Sequence, residues 1–163
     1  MKNIIISPYS KRLRNGKDNP KNYPFWNDIV INLNKYDFNI IQVGIKSEKE
    51  IEGVKKFEKN LPFLKLADMI RESDLFISVD NFIPHMCIAE SIDTPGIVLI
   101  GQTNPKIFGY DKYEYLFSSE YYFRSVKDQF CFWDMAEYKR EAFVDPEVVV
   151  YKVTTLFNIK EYK

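Results

Sequence analysis

The chain has 163 residues, 45% of them hydrophobic and 16% aromatic, enough to bury one substantial core, and a single domain is expected. Lys plus Arg and Asp plus Glu both number 23, so the formal net charge is zero and nothing global draws the protein to nucleic acid or an anionic membrane. The apolar run after Met1 is too short for a signal-peptide core or a membrane span, which makes a cytoplasmic protein the expectation. Cys87 and Cys131 share no CxxC spacing, so no zinc site or disulfide framework is indicated, and buried free thiols are expected.

In chain order, Asn3 to Ser7 is a β-branched apolar run that reads as a buried strand opening into a loop at Pro8. The loop to Lys21 carries Lys11, Arg12, Arg14, Lys17 and Lys21, broken by Asn15-Gly16 and Asn19-Pro20. Pro24 suits a first helical turn, and Phe25, Trp26, Ile29, Val30 and Leu33 follow at helical spacing. Phe38 to Val43 predicts a second strand ending at Gly44. Ser47, ahead of Glu48 and Glu50, predicts an N-cap and a charged helix to about Lys59. A short amphipathic helix over Leu64 to Arg71 leads to a buried strand, Leu75 to Val79, which ends at Asp80. Pro84 opens the next helix, Ile97 to Ile100 is a strand ending at Gly101, and Tyr115 to Ser118 a last strand. Residues 119 to 142 are aromatic and charged without periodicity and receive no assignment. Asp145, Pro146 and Glu147 form the head of a closing helix through Phe157. Strands alternating with helices predict βαβ units, hence a parallel sheet with helices on both faces.

Ligands of such sheets bind beyond the carboxyl ends of the strands, where the winding direction reverses. Three groups of residues would converge there. The basic loop from Ser7 to Lys21, with Lys17 and Lys21, suits a diphosphate. Glu48, just past the second strand, suits ribose hydroxyls. Asp80 precedes the Pro84-His85 helix, whose N-terminus favours anions.

The stretch from Ser78 to Tyr110 resembles the signature of the family 9 glycosyltransferases, the heptosyltransferase-like enzymes. There an Asp-Thr-Gly-x-x-His run is followed by a small-residue helix, a strand and Gly-x-Thr-x-Pro. Asp80, His85, Gly101, Thr103 and Pro105 fall on that pattern, and Lys21-Asn22-Tyr23-Pro24 is similar to the family's Lys-x-Trp-Pro element. The resemblance spans about residues 3 to 110. It implies a Rossmann-like domain equivalent to the C-terminal half of a GT-B glycosyltransferase, binding a nucleoside diphosphate sugar as donor without metal or cofactor. By that resemblance Lys21 neutralises the departing diphosphate, Glu48 holds ribose, and Asp80 with Asn81, Phe82 and the following backbone positions sugar and phosphates. His85 orients the loop, and Thr103 belongs to the same binding set. The family's Thr-Gly is replaced by Asn81-Phe82, which bears on how closely backbone can approach the ligand.

In that family the acceptor site and general base belong to an N-terminal domain, whereas the resemblance here is to the C-terminal half. The expectation is therefore that another chain, or a second copy with Tyr121 to Trp133 at the interface, supplies them. Two alternatives stand beside it. One is a non-catalytic nucleotide or nucleotide-sugar binder. The other is a small nucleoside-processing enzyme of the deoxyribosyltransferase type, with Glu90 as its acid, a matter of fold analogy.

Overall fold

The computed structural model describes residues 1–129 and 133–159; Cys131, one of the two expected buried thiols, lies outside them. Six strands form one sheet: β1 (Lys2–Ser7), β2 (Phe38–Gly44), β3 (Lys56–Lys59), β4 (Leu75–Val79), β5 (Gly96–Leu99) and β6 (Glu114–Leu116). Their spatial order is β3-β2-β1-β4-β5-β6. Each neighbouring pair is parallel. The chain moves outward from β1 to β3 on one side, then returns to lay β4 on the other flank of β1. The winding therefore reverses between β1 and β4, and Ser7 pairs with Ser78 in register at that place.

The apolar strands alternate between two cores, as the two-residue period of a strand requires. Ile4, Ile6, Ile40, Leu75 and Ile77 face one side with Ile29 and Leu33 of α1 (Trp26–Leu33) and Val149 and Val153 of the closing helix. Ile5, Phe76 and Val98 face the other, with Ile70 of α2 (Phe63–Arg71) and Ile83, Met86 and Cys87 of α3 (Phe82–Ala89). Coverage on both faces explains why the strands read as unbroken hydrophobic runs. Gly96 makes room for Phe76, since a Cβ there would lie 2.1 Å from the Phe76 Cζ. Cys87 is fully buried, and burial pushes its thiol up to about 11, so it is an inert packing group. Among the described residues no helix is long and apolar enough to cross a membrane.

Three expectations are corrected. The charged helix over 47–59 does not form: turns lead into the edge strand β3 instead. The buried Gln42 amide donates to the Lys49 carbonyl at 2.9 Å and accepts the Ile51 N–H at 2.7 Å, pinning an extended path. Gly53, at φ +89°, then breaks any helical course. Pro24 precedes α1 rather than entering it, and α3 starts at Phe82, which places Pro84 within its first turn. A short helix, α4 (Pro105–Phe108), lies between β5 and β6, and the unassigned stretch contains 3₁₀ turns at Glu120–Tyr122, Trp133–Met135 and Arg140–Ala142, with α5 (Val126–Gln129) after the first. It leads to α6 (Pro146–Leu156), where Pro146 occupies the first turn as expected and Asp145 makes no side-chain cap.

Candidate functional site

The Lys-x-Tyr-Pro element works as an anchor. Tyr23 is buried among Phe25, Trp26 and Phe143, and its hydroxyl donates to the Val144 carbonyl at 2.9 Å. The Trp26 indole N–H donates to the Pro8 carbonyl. The preceding loop is tied from within. Asn19, itself buried, donates to the Lys11 carbonyl and accepts the Lys21 N–H, each at 3.0 Å, while Asn22 accepts the Ser10 N–H at 2.8 Å. A loop that composition presents as a solvated cationic stretch is thus fixed at its C-terminal end, and Lys21 leaves it in a defined direction.

That direction is Asp80. The Lys21 Nζ lies 2.7 Å from Asp80 Oδ2, with only 21% of the lysine side chain and 15% of the aspartate side chain exposed. Thr103, buried after β5, donates its hydroxyl to the same carboxylate oxygen at 2.7 Å. The Ser10 hydroxyl donates to the Asp80 carbonyl at 2.5 Å. Lys21, Asp80 and Thr103, distant in sequence, therefore meet at the carboxyl ends of β4 and β5, beside the point of reversed winding.

Asn81 caps α3, its side-chain oxygen accepting the Ile83 N–H at 3.0 Å, while its amide donates to the Ser7 hydroxyl at 2.9 Å and the Tyr9 carbonyl at 3.2 Å. Of the first helical N–H groups, Ile83's is thus committed and Pro84 has none, so α3 offers an anion its dipole more than its amides. Phe82 adopts no positive φ, and its half-exposed ring borders a cavity of about 110 Å³ shared with Ser7, Tyr9, Gly44, Glu48, Glu58 and Asn60. Glu48 accepts the Ile45 N–H at 3.1 Å; burial raises its carboxyl above the usual range, and that N–H partly offsets the rise. A side chain at Gly44 would collide with the Glu48 carboxylate, so glycine is needed for Glu48 to fold back into the cavity.

His85 stands apart from the ion pair. Its Nδ1 lies 2.6 Å from the Tyr110 hydroxyl, and it borders a small space of about 10 Å³ with Asp80 and Thr103. Lys17 projects from an exposed turn, and no hydrogen bond or ion pair joins its side chain to the others. Glu90 caps the far end of α3, which runs back to the amino edge of the sheet, so the acid of the nucleoside-processing alternative is remote from the site.

Sequence reading misses the cover over this corner. Trp133 places its ring 4.6 Å from the Lys21 Nζ and 4.5 Å from the Arg124 guanidinium carbon. Arg124 donates its backbone N–H to the Gln102 carbonyl at 2.9 Å, and the Gln102 amide donates to the Glu137 carbonyl at 2.8 Å. The Arg14 N–H donates to Asp134 at 3.1 Å. Tryptophan and arginine in an aperiodic stretch were the available signal, but spacing does not name their partner.

A parallel sheet of order 3-2-1-4-5-6 with polar side chains gathered at the switch point defines a Rossmann-like α/β domain. Solved structures of this shape include the iron-containing dodecameric glycosyltransferase TibC of enterotoxigenic E. coli H10407, at TM-score 0.58 and 14% identity, over 89% of this chain and 37% of that one. The heptosyltransferase TibC in complex with ADP-D-β-D-heptose matches at TM-score 0.57 and 14% identity, over 88% of this chain and 36% of that one. The chain thus spans little more than a third of these neighbours, and the likeness is one of fold. The sequence matches no protein-family profile and no curated relative. TibC is described as iron-containing; among the described residues here no three His, Cys, Asp or Glu side chains gather as a metal site.

Proposed function

We propose that the carboxyl edge of the sheet is the donor site of a glycosyltransferase, binding a nucleoside diphosphate sugar. The observation that carries this reading is Lys21, held by the buried C-terminal end of its loop 2.7 Å from Asp80 at the switch point of the sheet, beside the N-terminus of α3 and next to the cavity lined by Glu48. The fold shared with a heptosyltransferase seen with ADP-heptose supports the same reading.

In this reading the nucleoside occupies the cavity, where Glu48 accepts hydrogen bonds from ribose hydroxyls and the Phe82 ring lies alongside. The diphosphate lies over Ser7 and the head of α3 toward Lys21, and the sugar faces Asp80. During transfer the bond between the anomeric carbon and the β-phosphate oxygen breaks as an acceptor hydroxyl attacks. The nucleoside diphosphate leaves, and Lys21 with the positive end of α3 stabilises its growing charge. The acceptor and the base that takes its proton come from another domain or chain, a second copy included. Transfer of a hexose or heptose requires no metal in this scheme.

Calorimetric titration with ADP, GDP, UDP and dTDP and their sugars is the test. Saturable binding of one base, weakened by Lys21→Ala, supports the donor site; no binding across the panel removes it. Saturable binding with no transfer to any acceptor, in the presence of candidate partner chains, would leave a nucleotide-sugar binder.

A further inference from the structure

A diphosphate group carries charge on two adjacent phosphates, and a single lysine meets one of them. The head of α3 supplies few amides for the other, because Asn81 holds the Ile83 N–H and Pro84 has none. A second cation is expected near Lys21, and the structure provides one in the segment that crosses the site. Arg124 and Lys21 approach the same indole, at 4.5 and 4.6 Å from the Trp133 ring centre. Each is thereby held at an orientation set by one rigid plane. The position of Arg124 is fixed along the backbone too. Its N–H is bonded to the carbonyl of Gln102, the residue immediately before Thr103, which itself bonds Asp80. Chain entering the site from the β1 loop and chain returning after β6 are thus registered against each other at the carboxylate. Both cations are only partly exposed, and the Asp80 carboxylate 2.7 Å from the Lys21 ammonium offsets like-charge repulsion around the ring.

We infer that Arg124 is a second diphosphate-binding residue, and that Trp133 is a positioning residue that spaces Arg124 from Lys21 so that the two cations flank one diphosphate group. The planar guanidinium suits paired hydrogen bonds to phosphate oxygens, whereas the Lys21 ammonium acts as a point charge. This rests on the donor-site reading and adds to it a specific recognition of diphosphate over monophosphate. In the same arrangement the indole borders the bound anion, so its emission responds to ligand.

The test uses the full chain, with calorimetric affinities for inorganic pyrophosphate and for ADP, GDP, UDP and dTDP together with the corresponding monophosphates and nucleosides. Arg124→Gln should weaken the bound diphosphate about tenfold or more, the loss of a charge-assisted contact, while leaving the nucleoside unchanged. Arg124→Lys should recover part of the loss. Trp133→Phe should erase a saturable fluorescence change that wild-type protein shows on titration with the same diphosphate, a readout that does not depend on Arg124→Gln folding. Diphosphate affinity that falls in Lys21→Ala and stays at the wild-type value in Arg124→Gln would overturn the role of Arg124 and keep the donor site. Binding of diphosphate without any change in Trp133 emission would equally overturn it. If wild-type protein binds none of the diphosphates, the donor site fails and this inference with it.

Discussion

Two corners of the same carboxyl edge are built on opposite plans. At the ends of β4 and β5, Asp80 is met by Lys21, Thr103 and Ser10, and Trp133 lies over the lysine, leaving a space of only about 10 Å³ nearby. At the ends of β2 and β3, Glu48 meets one backbone N–H at the margin of a cavity of about 110 Å³. The first corner is polar and already assembled; the second is hollow, with its carboxylate held in an environment that disfavours its charge. Such a division suits a ligand whose charged centre needs fixed groups and whose nucleoside needs room. Preorganised dipoles and charges stabilise a departing anion because they need not move when it forms. The cavity is smaller than a complete small-molecule site, consistent with one that receives only part of its ligand.

The largest effect is expected from breaking the assembled corner at its centre. Asp80→Ala leaves the Lys21 ammonium and the Thr103 hydroxyl without their acceptor in surroundings where both ionic side chains are at most about a fifth exposed. Loss of about 2–3 kcal/mol of stability should follow, less than for a fully buried pair because water still reaches it. Urea denaturation would show this, and a cycle with Lys21→Ala should give a coupling of about 1–2 kcal/mol. Additive single effects would mean that the ion pair does not hold the loop. For ligand, Lys21→Ala should raise the Kd of the diphosphate about tenfold or more, and Asp80→Ala should impair binding as well by freeing the lysine.

Thr103→Val is a smaller cut at the same corner. It removes one hydrogen bond to a carboxylate while keeping shape, so a cost of about 1.5 kcal/mol is expected. The thermal midpoint should drop by several degrees. An unchanged midpoint would show that Lys21 alone suffices to hold Asp80.

These corners also differ in how far sequence reaches them. The apolar runs of β1, β2, β4 and β5 announce strands because burial on both faces leaves no polar alternation to obscure them, and the order of elements yields the parallel sheet. Asp80 and Lys21 could be placed at one edge from strand ends alone. Their direct contact, the capping role of Asn81 and the partnership of Ser7 with it could not, since those depend on the path of the loop. Residues 45–55 were open to misreading for a physical reason. Ser47, Glu48 and Glu50 carry helix-cap chemistry, while the groups that prevent the helix are Gln42, outside the segment, and Gly53 near its end. The stretch around Arg124 and Trp133 has no period to read because its local hydrogen bonds close only single turns, while its longer ties run to Gln102 and Arg14.

The smallest effect, and the one with the opposite sign, belongs to the hollow corner. Burial raises the Glu48 carboxyl above its value in the unfolded chain, the Ile45 N–H offsetting part of the rise. The folded protein consequently holds this proton more tightly than the unfolded one. Stability from this group is fully present below the unfolded value and is lost as pH climbs through the raised folded value. Glu48→Gln carries no such charge, so its thermal midpoint should stand slightly above wild type at neutral pH, with the difference closing on acidification through the weakly acidic range. Nucleotide reverses the preference, because ribose hydroxyls donate to the charged form. Wild-type affinity should therefore fall as pH drops through the raised value, and Glu48→Gln should bind more weakly at neutral pH with a flatter profile. Parallel pH profiles for the two proteins, in melting and in binding, would place the nucleoside elsewhere and leave the Asp80 corner to act without its neighbour.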